Sequence, residues 1–200
     1  MLIQEGKLIY HLVPLDSLES IIKYNLISRY DLETNKIDYI DNADPEIIQL
    51  RTRLGLSKFI PFHFHIHTAY DTAVKKANIG KSFIYICLHR NFAKTNGFLI
   101  LPMHPASSEQ PELFEYCEGF EAIDWQVMEL NQSDALKLGV DLRYHKQVRM
   151  AECLSPIPVP VCCFYSINVP NEDIKEYVVH LLDSYSVTPR PYINVMNWFV

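Results

Sequence analysis

Between residues 59 and 66 the chain alternates strictly. Phe62, Phe64 and Ile66 fall on one side; Pro61, His63, His65 and His67 fall on the other. A period of two marks a half-buried strand, so part of the core must be built on a sheet. Further strands are expected at residues 8–13, 82–88, 98–103 and 150–154. Another, interrupted by Pro, spans 159–169 and includes Cys162 and Cys163. Leu15, Leu18, Ile21, Ile22 and Leu26 recur at helical spacing and predict a helix over about residues 17–24. Asp16 is the expected N-cap, Glu19 completes a capping-box spacing, and Asn25 suits a left-handed end. Other helices are expected from Pro45 to Leu54, from a Thr68 cap to Ala77, around Asp124 and Trp125, and over residues 172–184. Residues 31–45 and 104–112 read as irregular, Phe114 and Tyr116 as part of a loop placed to cover the site with core packing the default for both, and Trp198-Phe199 as an aromatic tail. Strands and helices interleave without a regular βαβ alternation. The expected class is therefore α+β, in one domain over residues 1–200.

The bulk numbers narrow the partners. An apolar fraction of 48% in 200 residues is enough for a core. A net charge of -6 opposes non-specific binding to a nucleic-acid backbone, except through a local basic cleft. The 5 Cys are odd in number and lack a Cys-x-x-Cys spacing, which suits a reducing compartment. No opening segment reads as a signal peptide, and no apolar run approaches the ~18 residues that span a bilayer. A soluble, cytoplasmic protein without a membrane partner is expected. No Gly-x-Gly-x-x-Gly loop is present.

Several short segments follow one another in a telling order. Ile9-Tyr10-His11 precedes the first helix and the turn Leu26-Ile27-Ser28. Asp44-Pro45-Glu46-Ile47 comes next, with Arg51 behind it. Ile60-Pro61-Phe62-His63-Phe64, Ile123-Asp124-Trp125 and Arg149-Met150-Ala151-Glu152-Cys153-Leu154 complete the set. From about residue 9 to 167, this order and spacing resembles the DarT family, ADP-ribosyltransferases of bacterial toxin–antitoxin pairs that modify single-stranded DNA. The resemblance implies an ADP-ribosyltransferase-like split sheet around an NAD cleft and transfer of ADP-ribose onto a DNA base. It further implies that NAD is consumed as a substrate and that a macrodomain antitoxin reverses the modification. Two departures stand out. Ile66-His67-Thr68-Ala69 occupies the place where the family often carries Pro-Arg-Ser-Pro, and Met150 stands where Gln is usual.

On this resemblance Glu152 is the catalyst. A carboxylate stabilises the oxocarbenium-like charge that forms as the nicotinamide bond breaks, and it accepts a proton from the nucleophile. The plainer alternative is a strand-edge Glu paired with Arg149 or Arg143. His11 and Leu12, the Ser28 turn and the strand Phe62-His63-Phe64 are the expected NAD contacts, His11 bonding the nicotinamide ribose; a satisfied core His is the competing reading. Arg51 is expected to serve both cofactor and catalysis, because its planar fork suits phosphate oxygens or a positioned nucleophile. It also reads as a surface charge beside Arg53. His63, His65 and His67 invite zinc, but residues four apart on a strand lie roughly 13 Å apart, so no metal is expected and the rings should line the cleft or face solvent. Arg143, Tyr144, His145, Lys146 and Arg149 are the dense basic cluster, of the residue types that track single-stranded DNA and stack on its bases. A solvated basic loop is the alternative. Two other functions remain in view. An RNA 2′-phosphotransferase-like NAD enzyme uses a related cleft, but this chain lacks a clear set of phosphate-binding Arg. A catalytically inactive binding module of the same fold is opposed by the intact Glu152.

Overall fold

The computed structural model describes residues 2–40 and 44–196. Its first half runs β1 (Leu8–Pro14), α1 (Leu18–Tyr24), α2 (Arg29–Thr34), α3 (Pro45–Arg53), β2 (Ile60–His63), α4 (Ala69–Ala77), β3 (Phe83–His89) and α5 (Arg90–Thr95). The second half runs β4 (Leu99–Leu101), β5 (Phe114–Glu115), α6 (Tyr116–Ala122), α7 (Trp125–Glu129), α8 (Gln132–Lys137), α9 (Leu142–Val148), β6 (Glu152–Ser155), β7 (Ser166–Val169), α10 (Glu172–Ser184) and β8 (Tyr192–Val195). The strands form one sheet in the order β5-β4-β6-β2-β1-β3-β7-β8. All neighbours are antiparallel except β7 and β8.

The sheet has one weak seam, and its cause is local. β1 pairs with β3 along its whole length, from Leu8↔His89 to Pro14↔Phe83. On its other side it meets β2 through a single registered pair, Tyr10↔His63. Pro61 has no N–H to give to a ladder. Its carbonyl is taken by the His11 ring, Nδ1 to O at 2.6 Å. The sheet is continuous, and it splits toward the end of β1 where the cleft opens.

The main core lies on the face carrying Ile9, Phe62, Ile84, Ile86, Ile100, Cys153 and Ile167, all buried. Fully burying one such aliphatic or aromatic side chain contributes about 1.5–3 kcal/mol. The opposite face is closed by α4, with Val74 and Tyr70 against Leu12, Phe83 and Tyr85. α4 begins at the expected cap: Thr68 and Asp71 form a reciprocal capping box. The Asp71 carboxylate is buried and also accepts from the Tyr85 hydroxyl at 2.7 Å. α6 lies so close to the sheet that a Cβ on Gly119 would meet Ile100 Cβ at 2.6 Å. Arg90 ties the N-terminal segment down. It is buried and donates to the carbonyls of Ile3, Gln4, Leu8 and Phe64.

Several local expectations change. Asp16 does not cap α1, because residues 15–17 form a 3-10 turn that leads straight into it and no side chain caps the helix. Asn25 takes positive φ (68°) but extended ψ (169°), so it redirects the chain into the Leu26↔Val159 bridge instead of ending the helix in the left-handed well. The segment expected to be irregular after residue 31 starts inside a helix, α2, capped by Ser28. Cys162 and Cys163 lie in a 3-10 turn set by Pro160, not on a strand. Phe114 and Tyr116 belong to edge strand β5 and the start of α6 and not to a covering loop, and Tyr116 is buried in the core, the default expected for it. Trp198-Phe199 lies outside the described residues.

Candidate active site

Glu152 is the first residue of β6, directly opposite His63 of β2. It is buried, with 4% of its surface exposed. α3 starts on an Asp44 cap with Pro45 in its first turn. The helix carries Arg51 in its last turn across to that carboxylate. Arg51 Nη1 bonds both oxygens, Oε1 and Oε2, at 2.8 Å each. The second nitrogen, Nη2, is buried and has no hydrogen-bond partner among the described residues. A buried guanidinium nitrogen without an acceptor costs free energy.

His11, within electrostatic reach of this ion pair, lines a neighbouring cleft of about 210 Å³. Its walls include His11, Leu12, the turn Asn25-Leu26-Ile27, Arg29, Tyr39 and Tyr70. The His11 Nδ1–H donates to Pro61, which leaves Nε2 as an acceptor. Burial holds the ring well below the usual imidazole range, at about 4, and the Arg51 and His63 charges push the same way. His11 is therefore neutral at pH 7. It presents a lone pair, suited to a ribose hydroxyl.

The other expected cofactor residues divide. Leu12 lines the cleft. Ser28 is spent on its own cap: its hydroxyl donates to Asp31 Oδ2 at 2.7 Å and accepts from Asp31 N at 3.1 Å. It shapes the wall and is not among its lining residues. Phe62 and Phe64 are core residues, with 0% and 2% exposed, because strand alternation turns them away from His63. Phe62 acts from behind, its ring 5.4 Å from that of His11. His63 sits half-buried beside Glu152 and bonds Ala151 O at 3.1 Å.

The three histidines do not converge. His65 is buried and held between two carbonyls, whereas His67 is exposed at a positive φ of 61°. Among the described residues no group of three His, Cys, Asp or Glu is arranged to hold a metal.

The basic cluster is a helix, α9, and only part of it faces outward. Arg143, Tyr144 and Lys146 are exposed. His145 is buried and bonds Leu130 O at 2.9 Å. Arg149 donates to Met128 O at 2.6 Å and Leu130 O at 3.1 Å. These two side chains satisfy the carbonyl end of α7. Tyr144 keeps an exposed ring, but its hydroxyl is bound to Asp124 Oδ2 at 3.0 Å.

Two residues escaped the sequence reading. Arg29 follows the Ser28 turn and brings a cation to the cleft wall. Its place directly after an apolar-Ser turn was the available signal. His104, in the segment expected to be irregular, lies between α9 and α3. Its backbone N–H bonds Gln147 O at 2.9 Å. Burial lowers its imidazole pKa, and the charges of Glu152, His63, Arg51 and Lys146 all reach it. Its Nδ1 accepts from Ala106 N at 3.1 Å, which leaves Nε2–H as the outward donor in the neutral ring. No sequence pattern marks it.

Among the described residues, no helix is long and apolar enough to cross a membrane.

Known proteins share both this frame and this sequence pattern. Thermus sp. 2.9 DarT in complex with ADP-ribosylated ssDNA superposes with a TM-score of 0.80 at 17% identity, covering 98% of this chain and 96% of that one. The same Thermus protein in complex with NAD+ gives 0.75 at 17% identity, covering 98% of each chain. Thermosipho africanus DarTG in complex with ADP-ribose gives 0.66 at 15% identity, covering 97% of this chain and 51% of that one. No curated protein sequence matches. The family model described as DarT, ssDNA thymidine ADP-ribosyltransferase, matches residues 10–200. A match over nearly the whole length, on the strands and helices that join Arg51, Glu152 and His11, makes this chain a member of the DarT family of single-stranded DNA thymidine ADP-ribosyltransferases.

Proposed function

We propose that this chain transfers ADP-ribose from NAD to thymine in single-stranded DNA, with Glu152 as the catalytic carboxylate. The observation that carries the reading is the Arg51–Glu152 pair, in which one guanidinium nitrogen holds the carboxylate and the other is buried without a partner. The residues fit NAD as a substrate. His11 Nε2 offers an acceptor to the nicotinamide ribose, and Arg29 brings positive charge to the cleft for the pyrophosphate.

In a thymidine the sugar occupies N1, so N3 carries the only ring N–H. The bond between the nicotinamide nitrogen and C1″ of the ribose breaks, and nicotinamide leaves with the electron pair. C1″ then bonds to N3, and the N3 proton passes to Glu152 and on to solvent. Glu152 stabilises the positive charge that builds at C1″ before it takes that proton. Arg51 Nη2 donates to a substrate oxygen near the reacting base, and Arg51 Nη1 keeps the carboxylate aimed. Arg143, Tyr144 and Lys146 on the outer face of α9 guide the strand toward the site. In a bacterial cytoplasm such an activity is a toxin, and a macrodomain that removes ADP-ribose from DNA is its antitoxin.

The test is direct. The protein is incubated with NAD and two single strands that differ only in containing thymine or having every thymine replaced by cytosine. Only the thymine-containing strand should gain the mass of an ADP-ribosyl group. Equal labelling of both strands would overturn the assignment of the base.

A further inference from the structure

The histidine run Phe62-His63-Phe64-His65 holds no metal-like cluster, and the chemistry above leaves its two imidazoles unexplained. Both end on the same short stretch of chain. The buried His65 ring has Nε2 2.9 Å from Arg149 O and Nδ1 2.7 Å from Ile66 O; the neutral ring donates to one of them, and the Arg149 guanidinium 3.5 Å from Nδ1 favours the proton on Nε2, toward Arg149 O. The His63 ring reaches Ala151 O through Nδ1 at 3.1 Å. Arg149 and Ala151 stand three residues and one residue before Glu152.

The place of these bonds matters. Main-chain pairing between β2 and β6 runs from Ile60↔Ser155 to His63↔Glu152 and ends there. Glu152 is thus the terminal rung, where a strand normally frays. Beyond it, the two imidazoles supply the cross-strand bonds that backbone N–H groups supply inside the ladder. The turn is also held from its other side. Arg149 reaches the end of α7 through its guanidinium, and Ala151 N bonds Val148 O at 3.0 Å.

We propose that His63 and His65 are positioning residues for Glu152, bracing the segment that presents the carboxylate. The inference rests on Glu152 being the catalyst. His65 gives the cleaner case, because its burial and its two carbonyl contacts keep it off the substrate. A misplacement of about 1 Å at a reacting group costs on the order of 10²-fold in rate. A brace that fails should therefore appear in kcat and leave NAD binding alone.

The experiment is a double-variant cycle on the full chain. Wild type, His65→Ala, His65→Gln, Glu152→Gln and His65→Ala/Glu152→Gln are compared by transfer to a thymine-containing strand and by calorimetric NAD affinity. His65→Ala should lose ~10²-fold in kcat with NAD affinity within about threefold of wild type. His65→Gln, which keeps a side-chain N–H, should recover most of the loss. In the Glu152→Gln background the His65→Ala change should cost little more, because there is no catalytic carboxylate left to aim. Equal losses in both backgrounds, or NAD affinity falling in step with kcat, overturn the positioning role. Wild-type activity in Glu152→Gln overturns the catalyst assignment instead, and the brace with it. If His65→Ala fails to fold, His65→Asn, whose shorter amide falls short of Arg149 O, carries the same cycle against His65→Gln, judged by the same outcomes.

Discussion

Glu152→Gln should reduce transfer and also destabilise the protein, by an amount that the geometry sets. The carboxylate accepts two charge-assisted bonds from Arg51 Nη1 at 2.8 Å, and its side chain is 6% exposed. Gln keeps one acceptor oxygen and turns an NH2 toward the guanidinium, so one bond is lost and a donor faces a donor. A hydrogen bond to a charged group contributes about 1.5–3 kcal/mol. The Arg51 side chain is 15% exposed, so water recovers part of that, and a loss of about 2 kcal/mol is expected. For a chain of this length the melting temperature should fall by roughly 4–8 °C. Arg51→Met should cost more, about 3–5 kcal/mol, because it strands the buried carboxylate without a partner. The double variant Arg51→Met/Glu152→Gln should cost less than the sum, since neither charge remains. Thermal unfolding at neutral pH measures all three, and the transfer assay should show Glu152→Gln down by ~10²–10⁴. Suppose Glu152→Gln melts with wild type and the two losses simply add. Then the ion pair does not organise the site, and the reasoning from its geometry fails.

Three further outcomes are expected. Burial holds His11 and His65 at about 4 against an unperturbed 6.5, with the Arg51 and His63 charges adding for His11 and the Arg149 charge for His65. The unfolded chain therefore binds protons that the folded one refuses. Stability is full above pH 6.5 and falls as pH drops from 6.5 toward about 4; a melting temperature flat across that window would contradict the burial of both rings. Arg143→Glu/Lys146→Glu should weaken binding to single-stranded DNA and lower its log–log salt slope by roughly 1.4, at ~0.7 per phosphate contact, with NAD affinity unchanged. Loss of NAD affinity instead would move α9 to the cofactor. Arg90→Met deprives four carbonyls of their donor and should destabilise by on the order of 3 kcal/mol, read by denaturant unfolding. A change within experimental scatter would mean that the N-terminal segment is held by other contacts.

The parts of this molecule legible in sequence were those governed by local rules. The helix over Glu172–Ser184 and the Thr68–Asp71 cap of α4 follow from periodicity and cap chemistry, and both stand as expected. Glu152 and His11 were singled out through the order of short segments, and the fold sets Arg51 on the first and the second on the cleft wall. The errors arose where a tertiary partner outranked the pattern. His145 and Arg149 look like DNA contacts in a list of basic residues, yet the open carbonyl end of α7 claims them. Phe62 and Phe64 flank the right residue on the wrong face. The bond from Arg51 to Glu152 spans 101 residues, and no spacing rule reaches that far. His104 enters the site because its loop is pinned to α9, which only the folded chain shows.

Group transfer to a thymine nitrogen can be read from both products at once. The purified protein is given NAD and a strand containing a single thymine; released nicotinamide and labelled strand are both quantified. A parallel strand carries N3-methylthymine, which has no proton to surrender and no free nitrogen to bond. One nicotinamide should be released per strand labelled, and the methylated strand should carry no label. Nicotinamide released without labelled DNA, or a methylated strand labelled as well as the unmodified one, would contradict transfer to that nitrogen.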